Sequence, residues 1–439
     1  MINEPVPPIN ANTQIKYLEK TNKKLIFFLG GCMLIFMVLT VILIYKISRD
    51  PNSITGNLNN LTVNNQNNAG DLSEAQQAGM RLSNGKCTGA GPVTLSVSPM
   101  QPEDFSILIP YGLMVGGHVT PIDHQYFSPT IFNSQRDSYE VRAMADGRIV
   151  NIQPRDRVNP QNAADKFQEY RIVFTHTCTF FTYYDLVTSL APDLLAAYEK
   201  VKNPDGYAGS IDFPVKAGQV IGKIGGQTLD FAVWNTEQVL TGFIVPEHYQ
   251  GEFWKIYTAN PYDYMTPELK ELLIERNPRT INPIQGKIDY DIPGKLIGNW
   301  FVAGSGGYSG GQRAEYWETH LAIAPDHYDP TKYIISFGDF AGEASQFTVG
   351  DPAFMPENIG VESGLLKLEL KTFSYLDNDG NFWNGMSLIK SPKLIANNFT
   401  QGCVLFQLQN NGKLKMEAFP KKTCSGISGF SGQDKIYER

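Results

Sequence analysis

Short stretches of alternating apolar and polar positions dominate the chain after residue 91 and predict a mainly β protein. Residues 141–152 alternate on either side of a central Asp-Gly pair, which predicts a hairpin. Residues 170–186 are β-branched and aromatic throughout, which predicts two further strands. Residues 215–234 predict two short strands around a glycine turn. The period of two therefore places most of this region in sheets.

Helical spacing of apolar positions, behind an early proline, occurs at 192–202 and at 267–276 and predicts two short helices. A proline-broken connector follows at 277–287. Beyond it, turn signals recur roughly every 10–15 residues among strand-like runs. This spacing favours an antiparallel barrel or sandwich over βαβ units.

The apolar run at 25–45 contains no charged residue and predicts a transmembrane helix. At about 1.5 Å per residue it spans roughly 30 Å, the thickness of a bilayer core. A cleaved signal peptide is the alternative, but its apolar region is typically only about 7–15 residues. Four lysines precede the run and only two basic residues follow it closely, so we expect the N-terminus in the cytoplasm and the rest outside.

The pattern divides the chain into five expected segments. The stretch between the membrane and the β regions is rich in Asn, Gln, Ser and Gly, and it lacks the apolar residues to fold alone. We expect a cytoplasmic tail, a transmembrane helix, a disordered linker, a first β domain and a second β barrel or sandwich domain, at 1–24, 25–45, 46–90, 91–278 and 284–439.

Composition and charge exclude one class of partner. Of the 439 residues 42% are hydrophobic, which is ample for folded cores, and the net charge is −7. An acidic chain without a dense basic patch is not expected to bind nucleic acid.

Cysteines and glycosylation sequons add two minor expectations. Cys403 and Cys424 bracket an expected hairpin, and they either pair as a disulfide or remain buried thiols. Asn60 and Asn398 each begin an Asn-x-Thr sequon, whose use depends on the organism.

Residues from about 105 to 235 resemble a LytM-type (M23) zinc peptidase domain. The stretch VKAGQVIGKIGGQTLDFAV (215–233) is similar to the family phrase V-K-x-G-Q-x-I-G…H-L-H-F-E-V, and AMADGRIV (143–150) is similar to its A-x-A-D-G-x-V. Val173–Leu186 resembles its V-x-x-H…T-x-Y-x-H-L segment, with His176 and Thr182 in place. The resemblance implies an antiparallel β fold with duplicated hybrid-motif topology.

The resemblance also implies a zinc site, and this chain departs from it at most positions. The family holds zinc with the His and Asp of H-x-x-x-D and the last His of H-L-H. The matching residues here form a degenerate site: His124, Ser128, Asp185, Thr228 and Asp230. His124 and Asp230 are the possible weak metal ligands, whereas catalytic zinc needs about three protein ligands. Asp123 is expected to point away, because neighbours on a strand face opposite sides.

The expected function is therefore non-catalytic. We expect a membrane-anchored extracytoplasmic pseudo-peptidase that binds cell-envelope glycan, peptide or a protein partner, with no cofactor. An active zinc metallopeptidase acting on cell-wall peptide is the first alternative. The second is a small-ligand carrier, because a Gly-x-Trp-like opening (298–300) faintly resembles lipocalin-type barrels.

Overall fold

The computed structural model of the protein describes residues 72–159, 162–311, 313 and 315–439. The predicted tail and transmembrane helix, most of the linker and the Asn60 sequon lie outside these residues. Among the residues that it does describe, no helix has the length and apolar character needed to cross a membrane. Residues Leu72–Arg439 cluster as one compact unit, so both β regions belong to the same body.

The first β region contains both predicted helices and most of the predicted strands. Its helices are α1 (Glu74–Leu82), α2 (Pro192–Val201) and α3 (Pro267–Arg276). Its strands are β1 (Phe105–Ile109), β2 (Gln125–Pro129), β3 (Tyr139–Arg142), β4 (Gly147–Asn159), β5 (Asn162–Thr175), β6 (Phe180–Val187), β7 (Ser189–Leu190), β8 (Phe213–Val215), β9 (Val220–Ile224) and β10 (Leu229–Asn235). Each of α2 and α3 begins at a proline, whose fixed φ suits the first helical turn.

Two sheets pack face to face in this region. The larger has seven strands in the order β1-β2-β10-β6-β5-β4-β8, and the smaller is β3-β9-β7. Alternate residues of both sheets meet in one core with apolar side chains of α2 and α3, including Val141, Ile172, Phe231, Leu194 and Leu273. The opposite face of the seven-stranded sheet is thereby left to carry the polar residues described below.

The hairpin predicted at 141–152 is wrong. The chain does turn at Asp146-Gly147, but β3 before the turn pairs with β9, whereas β4 after it pairs with β5 and β8. The turn is held instead by Asp146, whose carboxylate accepts a hydrogen bond from the Ala217 backbone amide at 2.9 Å. Alternation identifies the strands correctly, but it carries no information on which strands pair.

The second β region is a closed eight-stranded antiparallel barrel, which confirms the barrel alternative. Every strand pairs with its neighbours in sequence, and the last closes on the first. The strands are β11 (Gly298–Val302), β12 (His320–Pro325), β13 (Tyr333–Phe340), β14 (Glu343–Val349), β15 (Leu366–Leu376), β16 (Lys393–Leu408), β17 (Leu414–Pro420) and β18 (Lys435–Glu438). Alternate side chains fill its interior, among them Trp300, Phe337, Phe406 and Tyr437.

The outside of the barrel packs against the first β region. Phe301 of β11 is 1% exposed and contacts Tyr249 and Tyr308, in a cluster that also holds Tyr111 and Phe243. A second cluster buries the outer residues of β12 and β13 together with Met114. Outward-facing barrel residues would otherwise meet water, so these clusters join the two regions through apolar burial.

Within the linker predicted at 46–90, the described residues include a helix, α1, instead of a disordered segment. Ser73 and Gln76 form a capping box at the start of α1, and Leu82 at its end is buried. A disulfide between Cys87 and Cys178 ties the following residues to the β5–β6 turn. A second disulfide joins Cys403 to Cys424. The polar composition of this segment does not predict α1, because the helix depends on tertiary contacts.

Candidate functional site

The candidate site lies where three adjacent strands of the large sheet bring their polar residues together. His124 immediately precedes β2, which pairs with β10, and β10 pairs with β6. In this register Asp230 stands opposite Tyr126 on one side and opposite Asp185 on the other. The structure therefore places three of the five predicted positions side by side.

Both ring nitrogens of His124 face carboxylates. Nδ1 lies 3.2 Å from Oδ1 of Asp123, and Nε2 lies 3.3 Å from Oδ2 of Asp230. The Tyr126 hydroxyl is 3.1 Å from the same Nε2. Two carboxylates around one imidazole are matched by a doubly protonated ring, which donates from both nitrogens.

Electrostatics favour this imidazolium. Burial opposes the charge, but Asp230 and Asp123 outweigh it and raise the pKa of His124 to about 9. Burial also raises the pKa of Asp230, whose second oxygen, Oδ1, has no hydrogen-bond partner among the described residues. An imidazole ring that is protonated on both nitrogens has no free lone pair to offer a metal ion.

The expectation that Asp123 points away from His124 is wrong. Strand β2 begins only at Gln125, so the alternation of strand side chains does not apply to residues 123 and 124. Asp123 instead bridges His124 and Lys255, whose Nζ lies 2.8 Å from Oδ1 of Asp123. The nearby Lys255 and His124 more than offset burial and hold the pKa of Asp123 well below its usual range.

Lys255 is a buried cation that sequence reasoning missed. It lies on a 3-10 segment, Pro246–Tyr257, and its side chain is only 6% exposed. A second carboxylate, that of Glu252, lies 3.1 Å from Nζ. Although burial works against it, Asp123 and Glu252 raise the pKa of Lys255 above its usual range, so the ammonium keeps its charge.

Asp185 is likewise committed to protein partners. The Arg155 guanidinium forms an ion pair with Oδ2 of Asp185, and the Tyr183 hydroxyl donates to the same oxygen at 3.1 Å. The other oxygen accepts the backbone amide of Leu186 at 2.8 Å. Both oxygens of this carboxylate are thus bonded to groups of the protein itself.

The other two predicted positions stand apart from the cluster. Phe127 pairs with Leu229, so Ser128 and Thr228 lie beyond the pair Tyr126 and Asp230 by two residues on each strand. Two residues along a strand correspond to roughly 6–7 Å. The Ser128 backbone carbonyl accepts from the Ser106 hydroxyl at 3.4 Å, which ties this position to β1.

Side chains of the barrel region cover the cluster. Lys255 Nζ lies 4.8 Å from the ring centroid of Tyr308, in a connection between β11 and β12. The ring of Trp317 packs directly on Gly117, where an added Cβ would lie 2.9 Å from it. The side chains of Asp123, His124 and Lys255 are accordingly buried.

These residues do not fit a catalytic zinc. His124 is held as an imidazolium and Asp185 is bonded to Arg155, so among the three clustered residues only Asp230 keeps an oxygen without a hydrogen-bond partner in the described part of the chain. Across residues 72–439, as far as they are described, no group of three or more His, Cys, Asp or Glu side chains converges as a metal site would. Where a metal would supply positive charge, Lys255, Arg155 and the His124 imidazolium supply it instead.

Compared with known proteins, the chain matches no family model and no curated relative.

Proposed function

We propose that this protein is a non-catalytic binding or scaffolding module built on a degenerate LytM-like domain. One observation carries the proposal: the carboxylates at the expected zinc site are engaged by cations of the protein. Lys255 pairs with Asp123, Arg155 with Asp185, and the His124 imidazolium with Asp230. This arrangement supports a structural role for the cluster, because hydrolysis by zinc requires a bound water with a lowered pKa.

The N-terminal sequence supports a location for this module outside the cytoplasmic membrane. The apolar run at 25–45 and its flanking lysines support a single-pass membrane protein with an extracytoplasmic body. Partners there would be cell-envelope glycan or peptide, or another envelope protein. The resemblance to peptidases supports this choice, because a retained sheet face can bind what the enzymes cleave; it is an argument from fold to function.

The metal content of the full-length protein tests the proposal. We expect the purified protein, dialysed against micromolar zinc and then washed, to retain far less than one zinc ion per chain by elemental analysis. The His124→Ala variant should retain the same amount as the wild type. The control is His248→Ala, which removes a histidine whose ring lies against Phe301 at 5.9 Å, outside the cluster.

The active-peptidase alternative predicts the opposite result. Stoichiometric zinc that is lost in His124→Ala and kept in His248→Ala would overturn the proposal. The carrier alternative needs an empty apolar interior in the barrel. The interior positions are instead occupied by buried side chains such as Trp300, Phe337 and Leu370, which favours a filled barrel.

A further inference from the structure

A pocket of about 220 Å³ opens on the same face of the large sheet as the His124 cluster. Asp185 and Tyr183 lie on one face of β6, and Asp230 and Trp234 lie on the matching face of β10. Following these strands away from Asp185 leads to the pocket. Its aromatic and basic lining consists of Trp234, Trp254, Phe253, Tyr207, Arg81 and Arg171.

Stacked rings form one wall of the pocket. The centroids of Trp234 and Trp254 are 5.6 Å apart, and Trp234 stacks on Tyr183 at 5.3 Å. The Arg171 guanidinium lies 4.7 Å from the Tyr183 ring and 4.6 Å from the Trp254 ring. A planar cation between aromatic rings is held in a fixed orientation, so this wall is preorganised.

The pocket is cationic. It is lined by two arginines and by no aspartate or glutamate among the described residues. Arg81 lies over the Phe253 ring at 3.8 Å and is exposed, so its guanidinium is available at the mouth. Two guanidinium groups without a lining carboxylate favour an anionic ligand, and the planar fork of Arg matches a carboxylate.

Amide groups complete the rim. Asn84, Asn151 and Gln153 line the pocket, and Asn151 is oriented by donating to the Tyr207 hydroxyl at 2.7 Å. Amides both donate and accept, as recognition of hydroxyl groups requires. The faces of Trp and Tyr rings are electronegative and attract the polarised C–H edges of a saturated ring.

We propose that this pocket binds a single sugar ring that carries a carboxylate. The volume is below the roughly 300–1,000 Å³ of pockets for drug-sized ligands, which limits the occupant to about one ring. The carboxylate pairs with Arg81 and Arg171, the ring packs on Trp254, and the hydroxyls meet the amides of the rim. This inference deepens the proposed binding function by naming the ligand class.

Titration of the full-length protein with D-glucuronate, followed by tryptophan fluorescence, tests the inference. Trp234 and Trp254 line the pocket, so we expect a saturable change with glucuronate and none with D-glucose, which has the same ring without the carboxylate. Arg81→Gln should weaken glucuronate binding about tenfold, the loss expected for one charge-assisted hydrogen bond. Arg81 is exposed, so this variant is expected to fold.

Arg148→Gln is the matched control, because Arg148 is a partly exposed arginine that pairs with Asp212 outside the pocket. The Arg148→Gln variant should bind glucuronate with the same affinity as the wild type. Equal responses to glucuronate and glucose, or no response to glucuronate, would overturn the inference, and a stronger response to benzoate would replace the sugar by an aromatic acid. Zinc content is measured on the same preparation, so failure of this inference and failure of the pseudo-peptidase proposal are distinguishable.

Discussion

At the scale of single residues, the cluster around His124 is a chain of alternating charges. Lys255, Asp123, His124 and Asp230 follow one another with separations of 2.8, 3.2 and 3.3 Å. Breaking a buried pair by removing one member is costly, because the remaining charge is left uncompensated. The stability of the first β region therefore depends on the protonation state of one histidine and on the presence of one lysine.

The first residue-scale prediction concerns pH. Folding raises the pKa of His124 from its ordinary 6.5 to about 9, so the folded state binds this proton more tightly than the unfolded state. The stabilisation is fully present below pH 6.5, declines as pH rises and is lost above about pH 9. A shift of this size corresponds to about 3 kcal/mol. Urea unfolding of the wild type and of His124→Gln should show a stability difference that shrinks over this interval. Parallel curves would contradict the prediction.

The second residue-scale prediction concerns Lys255. Replacing it with Met leaves Asp123 without its closest cation, and we expect a loss of about 3–5 kcal/mol in the free energy of unfolding. The matched control is Lys216→Met, which breaks the 2.7 Å pair with Asp146, where both side chains are mostly exposed. This control should change stability little. Similar losses in the two variants, measured by urea unfolding, would refute the buried network as a source of stability.

The residue scale also shows what the sequence can and cannot predict about the site. His124, Asp185 and Asp230 were predicted to belong together, because their positions follow a framework phrase whose strands do pair. Lys255 lies 132 residues from Asp123, and no local pattern marks that contact. Arg155 lies in an alternating strand, where it resembles any solvent-facing charge. Long-range charge pairing leaves no periodic signal in the sequence.

At the scale of secondary-structure elements, sequence patterns predicted correctly those features that depend on neighbouring residues in the chain. Helix α3 begins at its predicted proline and ends at its predicted last residue, 276, since the proline, the apolar spacing and a Thr266 cap agree. Regular turn spacing predicted an antiparallel barrel or sandwich, and the structure shows that it is the barrel. Helix α1 was missed because its polar sequence is helical mainly through packing of Gly79 and Leu82 on the sheet. The pairing of β3 with β9 was missed for the same reason, because tertiary contacts decide which strands pair.

The element-scale prediction concerns the two disulfides. The bond Cys87–Cys178 closes 91 residues and Cys403–Cys424 closes 21, so the first removes more entropy from the unfolded chain. On the loop-entropy model we expect a loss of about 4–5 kcal/mol for Cys87→Ser with Cys178→Ser, and about 3 kcal/mol for Cys403→Ser with Cys424→Ser. Urea unfolding of the two double variants shows which one loses more free energy of unfolding. A larger loss in the second variant would contradict this account.

At the scale of the whole molecule, the two β regions are joined through side chains. Phe301 on the outer face of the barrel and Tyr308 in the β11–β12 connection join a cluster that also contains Tyr111 and Tyr249 of the first region. The charge cluster lies beneath the same contact, with Lys255 against Tyr308. Without the other, each region would therefore expose apolar or charged groups that are now buried at this boundary.

The whole-molecule prediction concerns cooperativity. Because apolar and charged groups are shared across the boundary, we expect one calorimetric unfolding transition for residues 72–439 within the full-length protein. Phe301→Ala should cost about 3–5 kcal/mol and shift that single transition to lower temperature. Phe399→Ala is the control, since Phe399 is 79% exposed and its removal should have little effect. Two separate transitions in the wild type would show that the regions unfold independently.

The contact between Tyr308 and Lys255 also bears on how this architecture can be recombined. A domain whose apolar and charged groups are all buried within itself can be fused to new neighbours by exchange of gene segments. Here, substitution of the barrel by an unrelated domain would uncover Lys255 and Gly117, which now lie against Tyr308 and Trp317. Replacement of either β region therefore calls for compensating substitutions in the other.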